Sequence, residues 1–229
     1  MGYTRSISLD PRLSAIAEML GNCHCCADIG SDHGRLGAFL LQNHRCARVC
    51  LTDISASSLQ KARKLIALTG LEDAAEFYVG DGALALEREV DAAVIAGMGG
   101  ETIAEIVENS AGRLDSARLI LQPNVAAAEL RARLNACGWR ITDEELARDG
   151  RRIYVILAAE RGIQQLDEKE TEVGPVLLKK SPPLLADYAR FHLRVAQKAL
   201  EGARAGLDTA AAAELERRIS IWEEVEKCL

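Results

Sequence analysis

The chain has 229 residues, 48% of them apolar, with 28 Lys and Arg set against 34 Asp and Glu for a formal charge of −6. That length holds one full α/β core and a smaller appendage, and that apolar fraction excludes extended disorder. The negative charge excludes wrapping nucleic acid by bulk electrostatics, while leaving room for a local basic face built from residues such as Arg45 and Arg48, Lys61 and Lys64, or Arg151 and Arg152.

Residues 1–5 carry no apolar leader, and no window approaches the roughly 20 apolar residues of a membrane helix, so a cytoplasmic protein without membrane contact is expected. Residues 9–20 have helical spacing, with Pro11 tolerated in the first turn and Gly21 as the stop. Residues 23–29 form the first buried strand, 35–42 a helix and 48–53 the second strand. A helix over 55–69 follows, closed by Gly70. Further strands are expected at 76–79, 92–96 and 118–122, with helices at 101–109 and 126–136.

Residues 139–144 and 152–159 flank the polar stretch Ala147-Arg148-Asp149-Gly150, which reads as a turn between antiparallel strands. Alternating strands and helices followed by that hairpin predict a doubly wound, Rossmann-like α/β sheet with a closing antiparallel strand, the class I methyltransferase pattern, over residues 1–162. A plain dinucleotide-binding sheet is parallel throughout. From Arg161 a charged linker leads to Gly174-Pro175 and Pro182-Pro183, with no further strand pattern. Leu184, Tyr188, Phe191 and Val195, and then Leu215, Ile219 and Trp222, recur at helical spacing, with Gly206, Asp208 and Thr209 as stop and cap between them. A coiled-coil-like helical hairpin is therefore expected in a second domain, 163–229.

The turn after the first strand, Asp28-Ile29-Gly30-Ser31-Asp32-His33-Gly34, lets a backbone without Cβ atoms approach a nucleoside at the carboxyl edge of the sheet. It lacks the three closely spaced glycines of a pyrophosphate fingerprint, which disfavours a nicotinamide dehydrogenase. S-adenosylmethionine carries no phosphate, and its amino and sulfonium cations suit Asp28 and Asp32. Asp53, 25 residues after Asp28, closes the second strand where a carboxylate can accept both ribose hydroxyls. Ile54 offers adenine an apolar face, and Asp81 in Gly80-Asp81-Gly82 can meet the adenine amine. Caps and turn formers explain each acid singly but not the series, so S-adenosylmethionine is the expected cofactor.

After the fourth strand comes Ala96-Gly97-Met98-Gly99-Gly100, and after the fifth Leu121-Gln122-Pro123-Asn124. Ala96, Gly97 and Met98 are expected beside the cofactor. Gly99 would let a planar substrate come close, and the amides of Gln122 and Asn124 can pair with a base edge. Asn124 reads equally as a helix N-cap.

Taken with Leu9-Asp10-Pro11-Arg12-Leu13, Ser31-Asp32-His33, Gly80-Asp81-Gly82, residues 95–100, residues 119–124 and Gly174-Pro175, the whole chain resembles the bacterial tRNA adenine-22 N1-methyltransferases. It departs from them in His33-Gly34-Arg35-Leu36-Gly37, where the family commonly has His-Ala-Tyr-Leu-Pro, and in Asp53, where Glu is frequent. The resemblance implies methyl transfer from S-adenosylmethionine to N1 of an adenine in tRNA, by a methyltransferase core with a helical C-terminal domain. Asp32, His33 and Asn124 are the catalytic candidates, and Lys179, Lys180, Arg190, Arg194 and Lys198 the candidate tRNA contacts. Competing readings are a methyltransferase of this fold acting on another RNA, a protein or a small molecule, and a noncatalytic tRNA-binding protein.

Cys23-His24-Cys25-Cys26, with Cys46 and Cys50, invites a metal, but strand alternation sends neighbouring thiols to opposite faces and zinc pairs normally sit on loops. Reduced, buried thiols without a metal are expected. His192 is expected at a helix interface or surface.

Overall fold

The computed structural model describes residues 6–228. The absence of an apolar leader was read from residues 1–5, which lie outside that range. Two compact units divide the chain, residues 1–165 and residues 166–229.

In the first unit α1 (Pro11–Leu20) begins where Asp10 accepts the Leu13 N–H at 2.8 Å, and Pro11 occupies the first helical position, whose amide has no intrahelical partner anyway. It buries Ile16, Ala17, Met19 and Leu20 and ends at Gly21, φ +70°. Strands β1 (Cys23–Ile29) and β2 (Cys46–Asp53) alternate with α2 (Arg35–Gln42) and α3 (Ala56–Ala67), the latter capped by Ser55. There follow β3 (Ala75–Val79), β4 (Ala92–Gly99), α4 (Gly100–Glu108), β5 (Arg118–Val125) and α5 (Ala127–Ala136). The hairpin of β6 (Trp139–Asp149) and β7 (Arg152–Arg161) completes the unit.

These seven strands form one sheet in the order β3-β2-β1-β4-β5-β7-β6, parallel except for β7, which runs antiparallel to both its neighbours. The doubly wound sheet with its closing antiparallel strand is thus present. Strand order reverses between β1 and β4, and ligands of such sheets bind in the crevice at the carboxyl ends of those two strands. Helix α5 is tied to the sheet by Arg131 and Glu144, both fully buried, with Nε to Oε1 at 2.8 Å.

Within the sheet, strand ends, a turn and a helix cap differ from expectation. Strands β4 and β5 run three residues past their expected ends, because each shift in register between them absorbs an irregular residue around Gly97 and Met98 without ending the pairing. The β6–β7 turn lies at Gly150 and Arg151, not over 147–150, since pairing continues to Asp149 and Arg152. Asn124 is not a helix N-cap: the strand carries it past that role and Ala126, φ +60°, occupies the cap position.

In the second unit the expected linker contains α6 (Glu168–Val173) and α7 (Pro175–Lys180), the former opened by a capping box between Asp167 and Glu170. The long pair α8 (Leu185–Ala205) and α9 (Thr209–Lys227) forms the helical hairpin. Its seam differs from the expected one. Leu185, Tyr188, Ala189, Ala196 and Leu200 are buried, whereas Phe191 and Val195 are half exposed, so the buried face is rotated toward the small alanines. Trp222 anchors the seam, stacked on His192 at 4.8 Å and donating from Nε1 to Glu172 Oε1 at 2.6 Å. Among the described residues no helix is long and apolar enough to cross a membrane.

Candidate active site

The crevice at the β1/β4 switch point is a cavity of about 390 Å³. Gly30, just beyond β1, and Met98, near the end of β4, line it together with Thr52. Asp53 and Ile54, then Gly80, Asp81, Gly82 and Leu84, then Thr102, Glu105 and Ile106 of α4 with Asn109 at its C-cap, line the rest.

Asp53 is held by two backbone amides: Oδ1 accepts from Ser55 at 2.8 Å and Oδ2 from Asp32 at 3.1 Å. Each carboxylate oxygen keeps a lone pair for a further donor. Ile54 and Leu84 are exposed apolar side chains, 78% and 46% accessible, and both line the cavity. Buried Thr52 Oγ1 lacks a hydrogen-bond partner there. A nucleoside needs a diol acceptor, an apolar slot for its base and polar atoms deep in the pocket, and these residues supply each.

Gly30 has φ +72°, and a Cβ built on it would lie 2.1 Å from Met98 Cε. Gly30→Ala must therefore displace the flexible end of Met98, a residue that lines the same cavity, while straining the turn at a positive φ. The expected result is a loss of S-adenosylmethionine affinity of about tenfold or more, roughly 1.4 kcal/mol, measured by calorimetry. Adding Met98→Ala should return part of it.

Other residues of the expected cofactor set build the turn instead of lining the cavity. Asp28 is buried on the central strand and accepts the Gly37 amide; burial raises its pKa to about 7, with the neighbouring Asp53 charge adding to the rise. Folded Asp28 thus holds its proton more tightly than the unfolded chain does, so its contribution to stability is present at low pH and is lost as pH climbs from about 4 to about 7. Thermal unfolding of the cofactor-free protein should show that fall, and Asp28→Asn should flatten it.

Ser31 is buried with its hydroxyl unpartnered, and Gly34, φ +66°, packs against Ala62 and Leu51. Asp32, φ +46°, contributes its amide to Asp53 while its exposed carboxylate meets His33 Nδ1 at 3.1 Å. His33 faces a second cavity, also about 390 Å³, with Arg35 and Lys61, whose Nζ lies 3.2 Å from His33 Nε2. Neither Asp32 nor His33 is among the residues that line the β1/β4 cavity.

On the substrate side Gln122 is fully buried and its amide is spent internally. Its Oε1 accepts from Arg12 Nη1 at 2.5 Å and from the Gly97 amide at 3.2 Å. Its Nε2 donates to Pro123 O and to Asn124 Oδ1, at 2.9 and 3.2 Å. No bond is left for a base edge, which corrects that expectation. Asn124, exposed, donates from Nδ2 to Gly97 O at 2.7 Å. Ala96 and Gly97 lie off the cavity lining; Gly97, φ +81°, is the irregular residue this network clamps. Gly99 packs beside Thr102 and Val125, and a Cβ on Gly100 would lie 2.0 Å from Ala126 O, so α4 is pressed directly on the β5–α5 turn.

Sequence reasoning missed Arg12, although its motif was in view, and the α4 wall. Thr102, Glu105, Ile106 and Asn109 step at helical spacing, a signal that identifies a helix face but not what it faces.

A family model described as TrmK: tRNA (adenine(22)-N(1))-methyltransferase matches residues 26–224. The tRNA (adenine(22)-N(1))-methyltransferase of Bacillus subtilis is 34% identical over 158 residues, which span 68% of this chain and 66% of that protein. The crystal structure of the B. subtilis M1A22 tRNA methyltransferase superposes with a TM-score of 0.87 at 29% identity, covering 96% of this chain and 99% of that one. A Streptococcus pneumoniae protein solved in complex with S-adenosyl-L-methionine has a TM-score of 0.86 at 28% identity, covering 96% and 100%.

Proposed function

The chain belongs to the tRNA (adenine(22)-N(1))-methyltransferase family, and from that premise we propose that it binds S-adenosylmethionine in the β1/β4 cavity and methylates N1 of adenosine 22 in tRNA. The observation that carries this reading is the convergence of Gly30, Asp53, Ile54 and Asp81 on one cavity. Asp53 takes the ribose hydroxyls, Ile54 and Leu84 hold adenine, and Asp81 accepts its amine. S-adenosylmethionine supplies a methyl group already activated by its sulfonium.

N1 of adenine has its own lone pair, so the chain's task is to orient the base and exclude water more than to remove a proton. The target must leave its stack to expose that Watson–Crick edge. Asn124 stands at the exposed end of the Gln122 network with an acceptor lone pair for the exocyclic amine, where positive charge develops. Arg35, Lys61 and His33, around the second cavity, suit a backbone phosphate of the same tRNA, which moves Asp32 and His33 from chemistry to positioning.

The C-terminal unit has ten Lys and Arg against twelve Asp and Glu, so it attracts tRNA through a local face or not at all. Arg190 is paired with Asp187, while Arg194 and Lys198 of α8 are exposed. The setting is the cytoplasm, where tRNA and cofactor meet.

The test is transfer of labelled methyl from S-adenosylmethionine to unmodified tRNA, with incorporation expected at one adenosine and lost when that adenosine becomes guanosine. Label that survives the replacement would point to another substrate; cofactor binding without any transfer would point to a noncatalytic protein. In the same assay Arg194→Glu with Lys198→Glu should raise the KM for tRNA about tenfold and weaken its salt dependence.

A further inference from the structure

At the amino-terminal ends of the first two strands, roughly 20 Å from the cofactor cavity at about 3.3 Å per strand residue, three thiols converge. Strands β1 and β2 pair with Cys23 opposite Cys46, and their Sγ atoms lie 3.0 Å apart. Buried Cys26 completes a triangle in which all three sulfurs lie within 4.8 Å of one another. The alternation that was expected to separate these side chains does not keep Cys23 and Cys26 apart, because Cys23 and Cys46 are the first residues of their strands, where the pleat no longer dictates direction. Cys25 and Cys50 form a separate buried pair, 3.9 Å between sulfurs.

Cys23 and Cys46 also line a surface cavity of about 500 Å³ whose walls include His24 and His44. The cluster is therefore reached from solvent through Cys23, and two imidazole side chains line the same cavity. Zinc bonded to thiolates at about 2.3 Å in a tetrahedron sets sulfurs about 3.8 Å apart, which lies between the 3.0 Å of the Cys23–Cys46 pair and the 4.8 Å within which all three sulfurs fall. Three soft sulfur donors select zinc over magnesium, calcium or manganese. All of the cysteines are free, and none takes part in the methyl-transfer site.

We infer that Cys23, Cys26 and Cys46 form a zinc site, with the fourth position open to the cavity and filled by water or by the imidazole of His24 or His44. Bound there, the ion would join β1 to β2 at the edge of the sheet opposite the cofactor. Because a ligand of the folded state alone raises apparent stability, it would do so without altering the chemistry at the far edge.

The test begins with full-length protein, reduced by a phosphine and stripped of metal, titrated with Co²⁺ as the spectroscopic stand-in. One equivalent should produce thiolate-to-cobalt charge-transfer absorption with tetrahedral ligand-field bands, displaced by Zn²⁺, and Zn²⁺ should raise the melting temperature. Cys23→Ser, chosen because Cys23 is the half-exposed member, should weaken metal binding about 100-fold or more while methyl transfer and circular dichroism remain those of the unsubstituted protein. Cys25→Ser should leave the band intact. His24→Ala and His44→Ala separately report the fourth ligand through the ligand-field bands. Absence of the charge-transfer band in reduced protein, its persistence in Cys23→Ser, or binding of Cu⁺ alone overturns the zinc assignment.

Discussion

Glu144→Ala is expected to lower the unfolding free energy by about 3–5 kcal/mol, the largest stability effect of any single substitution considered. Arg131 of α5 and Glu144 of β6 are both 0% exposed, and Nε meets Oε1 at 2.8 Å. Removing the carboxylate leaves a guanidinium that cannot shed its proton inside a dry contact between helix and sheet. The cost is the stranded charge more than the lost attraction, and this distinguishes two variants. Arg131→Met combined with Glu144→Leu, which fills similar volume without charge, should recover most of the loss that Glu144→Ala causes alone. Urea unfolding followed on the sheet-containing unit provides the measurement; a loss under 1 kcal/mol in the single variant would mean that water reaches the pair.

Gln122→Ala is expected to slow methyl transfer about 100-fold with S-adenosylmethionine affinity nearly unchanged, since displacement of a reacting group by about 1 Å costs that much. Gln122 touches neither the cofactor cavity nor solvent. Its amide instead holds Arg12, the Gly97 amide and Asn124 in one network, and Asn124 in turn fixes the Gly97 carbonyl. Without it the irregular segment at the end of β4 and the exposed amide of Asn124 lose their common anchor. Single-turnover methylation beside calorimetry of the cofactor separates the two outcomes. An equal fall in both would relocate Gln122 to the cofactor side. Gln122→Glu, which keeps the acceptor for Arg12 but loses both donors, should fall between.

The strand-and-helix order, the carboxyl edge that carries the candidate site and the placement of two of the three expected acids on one cavity were legible in the sequence, because periodicity and the residue after each strand report on local geometry. Asp53 and Asp81 line the cavity. Asp28 does not, since a residue near the end of the central strand can be covered by the next helix, here through the Gly37 amide, and spacing alone carries no depth. Gln122 was misread for a related reason: an amide on the functional edge can face inward, and only the positions of Arg12 and Gly97, 110 and 25 residues away, decide it. The α8 seam was misassigned because large side chains were given priority where the small Ala189 and Ala196 are the buried residues. In the thiol cluster a rule valid inside a strand was applied at its end.

The contact at Gly100 has an implication for how far this site could diverge. With room for no Cβ between α4 and Ala126 O, the helix that lines the candidate cofactor cavity and the turn that follows Asn124 are packed directly on each other. On the proposed assignment, widening the turn after Asn124 for a bulkier base would tilt α4 and deform the candidate cofactor cavity along with it. Any lineage or designer seeking a new acceptor must therefore retune donor and acceptor pockets together, and single-step drift in either one is closed off.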